Sequence, residues 1–309
     1  MKIILFGHQN WGIKAIQTIN QTNHDLVHVY THPLDMDKNE KVWYDSLTQV
    51  CKKLGIAVTE QNFVNDSDVE KIKQMNPDLI ISAGWRRLIP SSISTIPKYG
   101  SINMHEGFLP SYRGFAPVNW AIINGEKEIA ITIHYIDATA DTGNIILQKK
   151  IPIQLEETAK NVYDKALTLA PELLLKTLEN IQSNKAKNIN QKTLEKGFFC
   201  SRRYPKDGKI FWDNTRTSIY NLIRALSDPY PNAFCFFKSQ KIFIKNAKLI
   251  QDDYRGPPGR ICSIIDDGMI VTCGMDHTKN QAILITQIEI NDKIYKPKDF
   301  FKKLWEDLE

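Results

Sequence analysis

The chain has 309 residues, of which 42% are hydrophobic and 24% charged, and its formal net charge is +5. This length favours two domains, and the composition is that of a globular protein with a buried core, which excludes a disordered or membrane-embedded class. Lys and Arg residues are scattered, so the small positive charge leaves room for an anionic ligand without requiring nucleic acid.

The first half of the sequence alternates strand patterns with helix patterns. Strands are expected where short apolar runs occur, at residues 3–6, 26–30, 56–58, 79–81, 101–104 and 129–135. Helices are expected at 12–19, 42–54, 66–74 and 117–123, with a turn at 7–12, a stop at Gly55 and a cap at Asp66 or Ser67. This alternation predicts an α/β fold with a Rossmann-like, mostly parallel sheet and helices on both faces.

After a long helix, the second half of the sequence changes from alternating strands and helices to mostly short strands. That helix is expected at 158–180, with Pro171 kinking or splitting it, and the polar residues 181–195 are typical of a linker. A helix at 217–226 then precedes strands at 233–237, 241–244, 261–265, 269–272 and 281–288 and an amphipathic helix at 296–309. Short strands between Gly, Pro and Asp turns predict a smaller β-rich, barrel-like (OB-like) C-terminal domain. We therefore expect a catalytic domain over 1–198 and a C-terminal domain over 199–309.

The N-terminus and the cysteines bear on the cellular compartment. The chain opens directly into a strand that is too short for a signal sequence, and no apolar run approaches the length of a bilayer. The five cysteines include no Cys-x-x-Cys pair, which favours reduced thiols over disulfides or a zinc site. We expect a cytoplasmic protein with no membrane partner and no metal.

The turn after the first strand is a candidate binding segment. It lacks the Gly-x-Gly-x-x-Gly pattern, and no acidic residue ends the second strand, which argues against a nicotinamide-dependent oxidoreductase. The turn either lines a substrate pocket or only connects a strand to a helix. Its candidate substrate-binding residues are His8, Gln9, Asn10 and Trp11.

An amide, an imidazole and a carboxylate form the strongest chemical pattern. Asn103 and His105 lie two residues apart at a strand end, so both point to one face, and Asp141 could orient the imidazole and raise its pKa. An Asn amide and a His N–H suit a developing oxyanion, and His105 could relay a proton, which favours acyl transfer to an amine. His134 has no Cys or His at ligand spacing, so we expect it in the core or on the surface.

Around these residues the sequence resembles the folate-dependent formyltransferases, and the resemblance runs through nearly the whole chain. It rests on the Asn-x-His pair, the loop Leu-Pro-Ser-Tyr-Arg-Gly at 109–114, the Asp-Thr-Gly turn at 141–143 and the segments 202–212 and 224–231. The resemblance implies that Asn103, His105 and Asp141 are catalytic and that 10-formyltetrahydrofolate donates the formyl group. It also implies that two segments hold the folate, namely Arg87, Leu88 and Ile89, and Asp137, Ala138, Thr139 and Ala140. Thr139 stands where the family often has Gly, and Gly107-Phe108 where Ser-Leu is usual.

The formyl acceptor separates the branches of this family. Methionyl-tRNA formyltransferases carry a basic loop after the second strand, whereas residues 31–44 here hold two Lys, three acidic residues and no Arg, which argues against nucleic acid. Residues 116–120 and 228–231 resemble the enzyme that acts on UDP-4-amino-4-deoxy-arabinose. Without a fused dehydrogenase domain, the chain is similar to formyltransferases of surface-polysaccharide, O-antigen and lipopolysaccharide pathways.

The resemblance therefore implies a nucleotide-linked amino sugar as acceptor, and a homodimer is plausible for this branch. A dTDP-4-amino-4,6-dideoxyhexose is preferred, while a 3-amino isomer or a UDP sugar stays open. Arg202, Arg203 and Tyr204 either meet the diphosphate and base or form a solvated linker surface. Two other activities also stay open: methionyl-tRNA formyltransferase, and 10-formyltetrahydrofolate hydrolase, in which water replaces the amine.

Overall fold

The computed structural model describes residues 1–34, 41–276 and 281–309. The strands are β1 Lys2–Gly7, β2 Asp25–Thr31, β3 Val58–Glu60, β4 Leu79–Ala83, β5 Ser101–His105, β6 Arg113–Gly114, β7 Glu128–Tyr135, β8 Ile145–Pro152, β9 Phe199–Cys200, β10 Ala233–Phe237, β11 Gln240–Leu249, β12 Ile261–Ile265, β13 Gly268–Thr272, β14 Ala282–Ile290 and β15 Lys293–Tyr295. The α-helices are α1 Gln9–Ile19, α2 Leu47–Leu54, α3 Asp66–Met75, α4 Ser91–Ser94, α5 Pro117–Ile123, α6 Ala159–Gln182, α7 Arg216–Leu226 and α8 Pro297–Phe300. In this described part of the chain, no helix combines the length and apolarity needed to cross a bilayer.

A seven-stranded sheet organises the first domain. Its order is β3-β2-β1-β4-β5-β7-β8, in which β1 to β5 run parallel and β7 pairs antiparallel with both β5 and β8. The central strands β1 and β4 are nearly all apolar because both of their faces are covered. Helices α1, α5 and α6 cover one face, and α3 and α4 cover the other. The α/β prediction, with a mostly parallel sheet and helices on both faces, is confirmed.

An antiparallel sheet forms the second domain. Its order is β10-β11-β14-β13-β12, with β15 on β14, and α7 contributes Ile219 and Ile223 to its core. The C-terminal segment bridges the two edge strands, because Phe236 N–H donates to Glu309 O at 2.6 Å and Trp305 N–H donates to Ile261 O at 2.9 Å. Both edges thus find backbone partners, which gives the sheet its barrel-like closure. The β-rich C-terminal domain is confirmed, while the boundary at residue 198 stays a prediction.

Several element ends differ from the sequence-based prediction because local caps decide them. Helix α1 begins at Gln9, inside the expected turn, and α2 begins only at Leu47, where the Ser46 side chain caps it. Helix α3 is capped by Asn65, which accepts from Ser67 N at 2.9 Å, rather than by Asp66 or Ser67. Strand β3 lies two residues later than expected. Residues 35–40 of the predicted acceptor loop lie outside the described residues.

Three larger predictions were wrong. Strand β8 was missed because its Gln and two Lys residues interrupt the apolar pattern of an edge strand. Helix α6 is not split at Pro171, because buried side chains on both sides of the proline pack on the sheet. The expected C-terminal helix is only the four-residue α8, and the following chain is extended, with Phe301 and Leu308 buried in the second core. Tertiary contacts there override the amphipathic pattern.

Candidate active site

Polar side chains replace the apolar core at one edge of the first sheet. On β1 and β4, one face carries Ile4, Phe6 and Ile80 beneath α3 and α4. On β5 and β7 the same face is polar, because Asn103 pairs with His134, and His105 with Thr132, in the antiparallel register. Cross-strand partners share a face, so these four side chains form one polar patch beside the apolar core.

The loop between β7 and β8 brings Asp141 onto this patch. Its Oδ1 accepts from Asn103 Nδ2 at 3.2 Å and lies 3.3 Å from His134 Nε2. Its Oδ2 accepts from Gly114 N–H at 2.8 Å and lies 3.6 Å from His105 Nδ1. The structure therefore gathers Asn103, His105 and Asp141 at one point, and it adds His134 to them.

The hydrogen bonds of His105 fix which ring nitrogen carries the first proton. Its Nε2 lies 2.7 Å from the carbonyl oxygen of Tyr112, and a carbonyl only accepts, so Nε2 holds the proton. In the neutral ring, Nδ1 then presents its lone pair toward the Asp141 carboxylate. A second proton on Nδ1 creates an imidazolium with an acceptor at each nitrogen. This geometry suits a base that takes up a proton at Nδ1 during a reaction.

Burial and charge act in opposite directions on this pair. Burial lowers the pKa of His105 below its ordinary value, although Asp141 and the Tyr112 carbonyl oppose the shift. Asp141 thus acts on the pKa of His105 in the expected direction, but desolvation outweighs the carboxylate and the net shift is downward. Burial by itself would raise the pKa of Asp141, but His105, His134 and the Gly114 N–H outweigh it and hold that pKa well below its usual range. The resting site thus holds a carboxylate beside a neutral imidazole.

Two glycines keep the loops close to the reactive groups. A Cβ at Gly107 would overlap the His105 ring, and a Cβ at Gly143 would overlap the carbonyl of Tyr135. Gly107 also anchors the turn after β5, since its carbonyl accepts from the buried Thr132 hydroxyl at 2.7 Å. Small residues are therefore required where the chain turns back on itself.

Gln191 holds the Asp141 loop from behind. Its Nε2 donates to the carbonyls of Asp141 at 2.9 Å and Gly143 at 2.7 Å, while its Oε1 accepts from two nitrogens of Arg113 at 3.1 and 2.7 Å. The side chain is only 3% exposed. The segment 181–195, predicted to be a linker, therefore also buttresses the site through this one buried side chain.

The site opens into a cavity of about 790 Å³ that runs along the sheet edge toward the second domain. Most of the predicted ligand-binding residues line it: Gln9, Arg87, Leu88, Ile89, Asp137, Thr139, Ala140, Arg202, Arg203 and Tyr204. Among the described residues, four others lie outside its wall: His8, Asn10, Trp11 and Ala138. Segments far apart in the sequence therefore share one cavity, and their roles in binding stay predictions.

His8 supports the cavity from behind instead of lining it. Burial, together with His32 and Arg86, lowers the pKa of His8 to about 3, so the ring is neutral at neutral pH. Its ring packs edge-on against His32 and its Nε2 lies 3.3 Å from Tyr44 Oη. Trp11 is fully buried in the first core.

His134, Gln191 and Glu106 are the site residues that sequence reasoning missed. Pairing β7 against β5 in register would have found His134, since alternation places it with Thr132 on one face. The sequence carries no comparable signal for Gln191. Glu106 directly follows the motif histidine and lines the cavity. Within the described ranges, no group of three His, Cys, Asp or Glu side chains is placed to hold a metal ion.

Comparison with known families matches both domains. Residues 1–178 match the model described as "Formyl transferase", and residues 203–304 match "Formyl transferase, C-terminal domain". Together these matches cover the sheet edge with its polar patch and the second domain that closes the cavity.

Two individual relatives match by sequence and one by structure. The chain is 34% identical over 294 residues to the bifunctional polymyxin resistance protein ArnA of Wigglesworthia glossinidia brevipalpis, covering 95% of this chain but only 44% of that protein. It is 31% identical over 277 residues to methionyl-tRNA formyltransferase of Caldanaerobacter subterraneus subsp. tengcongensis, covering 89% of each. The crystal structure of an N-formyltransferase from Helicobacter canadensis, in complex with folinic acid and dTDP-3-aminofucose, shares the fold, with a TM-score of 0.71, 22% identity and coverage of 93% and 99% of the two chains.

Proposed function

Because this chain belongs to the formyl transferase family, we propose that it transfers a formyl group from 10-formyltetrahydrofolate to the amine of a nucleotide-linked amino sugar. The observation that carries the proposal is the convergence of Asn103, His105 and Asp141 at the wall of one large cavity. We further propose a dTDP-4-amino-4,6-dideoxyhexose as acceptor, in the synthesis of a surface polysaccharide.

The donor is assigned to the part of the cavity beside α4 and the loop after β7. Arg87, Leu88 and Ile89 follow β4, and Asp137, Thr139 and Ala140 follow β7; both groups line the cavity. Leu88 is exposed and Ile89 buried, so the segment offers both an apolar surface and backbone groups to a flat ring system. A bound formyl-folate supplies the reactive formyl carbon, which this placement directs toward Asn103 and His105.

The acceptor is assigned to the part of the cavity that faces the second domain. Arg202 lies 5.9 Å from the Phe115 ring and 5.7 Å from the Tyr204 ring, and Arg203 lies 4.7 Å from the Trp120 ring. Aromatic faces suit a nucleobase, and guanidinium groups suit a diphosphate. This surface supports a nucleotide sugar, as does the dTDP-3-aminofucose held by the Helicobacter canadensis protein.

The polar patch gives each side chain a role in formyl transfer. The amide of Asn103 donates to the oxygen that becomes negative when an amine attacks the formyl carbon, a contact worth about 3–4 kcal/mol at similar sites. His105 takes a proton from the attacking nitrogen at Nδ1 and passes it to the departing folate nitrogen. Asp141 remains charged and stabilises the transient imidazolium, while Gly114 N–H and Gln191 keep the carboxylate in place.

Methionyl-tRNA formyltransferase is the second candidate function. The Caldanaerobacter relative of that name matches over 89% of both chains, which favours this activity. Against it stands the segment 31–44, which holds two Lys, three acidic residues and no Arg to contact phosphates.

A panel of acceptors tests the proposal. The purified protein is incubated with 10-formyltetrahydrofolate and, separately, with dTDP-4-amino-4,6-dideoxyglucose, its 3-amino isomer, a UDP-amino sugar, methionyl-tRNA or no acceptor. Mass spectrometry reports the gain of one formyl group, and absorbance reports tetrahydrofolate. Formylation of a nucleotide sugar is the expected result. Formylation of methionyl-tRNA alone, or acceptor-independent release of tetrahydrofolate, would overturn the sugar assignment.

A further inference from the structure

We propose that Glu106 binds the ammonium group of the acceptor and removes its first proton, so that a neutral amine reaches the formyl carbon. This inference rests on the proposed function and names the group that prepares the nucleophile. At neutral pH the amine of an amino sugar is largely protonated, and an ammonium has no lone pair with which to attack. His105 and Asp141 handle the later proton.

The backbone fixes where the Glu106 side chain can go. The preceding His105 is held by its bond to the Tyr112 carbonyl, and the following Gly107 is held by the Thr132 hydroxyl. Because both neighbours are anchored, the residue between them has little freedom. Its side chain lines the same cavity as Asn103 and His105. One turn of the chain thus presents an imidazole and a carboxylate to one cavity.

The surroundings of Glu106 suit a sugar that carries a cation. Tyr163 and Trp43 line this part of the cavity with their ring centroids 5.0 Å apart, and Trp43 and Tyr230 lie 6.3 Å apart. The Tyr163 hydroxyl is buried and has no hydrogen-bond partner among the described residues. Tyr163 as a whole is 4% exposed. An aromatic wall with one unsatisfied hydroxyl and one carboxylate offers a pyranose its apolar faces, a hydroxyl contact and a counter-ion.

Burial also adapts the acidity of Glu106 to this task. It raises the pKa of the carboxyl to about 8, while Trp11 and Arg86 oppose the shift. With this pKa the carboxyl is mainly protonated at pH 7 in the empty cavity, and an ammonium bound beside it favours the carboxylate. The carboxylate then acts as a base whose pKa lies near the operating pH. The titratable or charged groups that act on it or adjoin it are Arg86, its neighbour His105 and Tyr163 of α6. The cavity wall also carries Lys41, Arg87, His134, Asp137, Asp141, Arg202, Arg203, Tyr204 and Tyr230.

The proton balance of the reaction needs such a group. The acceptor enters with three protons on its nitrogen, and the formamide product keeps one. One proton passes to the Glu106 carboxylate before the C–N bond forms, and Glu106 later returns it to water. As the bond between the formyl carbon and the folate nitrogen breaks, the other proton moves through His105 to that folate nitrogen. Without Glu106, only the small fraction of neutral amine in solution can react.

The test compares the wild type with Glu106→Gln, which keeps the shape but removes the base, and Glu106→Asp, which keeps a carboxylate. Glu128→Gln is the matched control, because Glu128 pairs with Lys150 at the surface of the same domain. The kcat/KM for dTDP-4-amino-4,6-dideoxyglucose is measured from pH 6 to pH 10, with 10-formyltetrahydrofolate saturating. Binding of 5-formyltetrahydrofolate and the Tm are measured for every variant.

Glu106→Gln is expected to lower kcat/KM about 10²-fold at pH 7. The deficit should shrink as the pH rises, because solvent then supplies the neutral amine, and Glu106→Asp should recover part of the activity. Folate binding and Tm should match the control. A wild-type pH profile for Glu106→Gln, or a deficit that is equal at every pH, would overturn the inference. If the wild type itself binds folate but formylates no amino sugar, the proposed function falls, and this inference with it.

Discussion

Replacing Asp141 with Asn tests the electrostatic design of the site. The two carboxylate oxygens meet four groups within 3.6 Å: Asn103 Nδ2, Gly114 N, His105 Nδ1 and His134 Nε2. An Asn side chain offers one acceptor oxygen, so either the Asn103 amide or the Gly114 N–H loses its partner. One buried, unsatisfied donor costs about 1–3 kcal/mol, which is the expected loss of unfolding free energy.

The kinetic loss should be larger than the loss of stability. The variant keeps its shape but cannot stabilise the imidazolium of His105, and the same exchange in a Ser-His-Asp site lowers kcat by about 10⁴. We expect a fall in kcat of about 10²–10⁴ with little change in folate affinity. Single-turnover formation of the formylated product measures the first quantity, and 5-formyltetrahydrofolate binding measures the second. Asp253→Asn serves as control, because Asp253 pairs with Arg255 on the exposed surface of the second domain.

The pH dependence has a definite sign. Asp141 has a folded-state pKa below its ordinary value of 3.8, so its stabilising effect is present above that value and lost as the pH falls through the folded pKa. The free energy of unfolding of the wild type should therefore fall as the pH is lowered below about 4. In urea unfolding, Asp141→Asn should show a smaller fall over the same pH range. Wild-type kcat in the variant, or an unchanged pH–rate profile, would refute the pairing of Asp141 with His105.

Two further substitutions separate reactive groups from supporting ones. His105→Ala should lower turnover by about 10²–10⁴ with a near-normal Tm, and near-normal turnover would contradict its role as proton relay. Gln191→Ala should lower kcat with little change in KM, and it should lower the Tm by about a few degrees, because the Asp141 loop loses two hydrogen bonds. Steady-state kinetics measure kcat and KM, and a change in KM alone would contradict the role of Gln191 in holding that loop.

Local sequence patterns were sufficient for most of the fold. Apolar runs such as Leu79–Ala83 are buried on both faces and read as strands directly, and α5 carries its own start signal in Pro117. The ends that failed depend on caps such as Asn65 and Ser46, which compete with neighbouring polar residues. The prediction of a C-terminal helix failed because that segment is held extended by backbone hydrogen bonds to β10 and β12. The local sequence of the segment does not indicate this pairing.

The residues of the site divide in the same way, into those that local sequence predicts and those that depend on long-range packing. Asn103 and His105 could be paired from spacing alone, because alternation on β5 puts them on one face. His134 required the register between β5 and β7, and Gln191 required the path of the chain after α6. The pKa of His105 could not be obtained from its pairing with Asp141, since burial decides the net shift. Long-range packing therefore sets the protonation state of groups that the sequence identifies.

A crystal structure with 5-formyltetrahydrofolate and a dTDP-linked amino sugar tests the central claim most directly. The account predicts the formyl group between the side chains of Asn103 and His105, the sugar amine on the Glu106 side, and the nucleotide against Arg202 and Tyr204. A folate bound away from the β5 edge, or a formyl carbon out of reach of both Asn103 and His105, would contradict it.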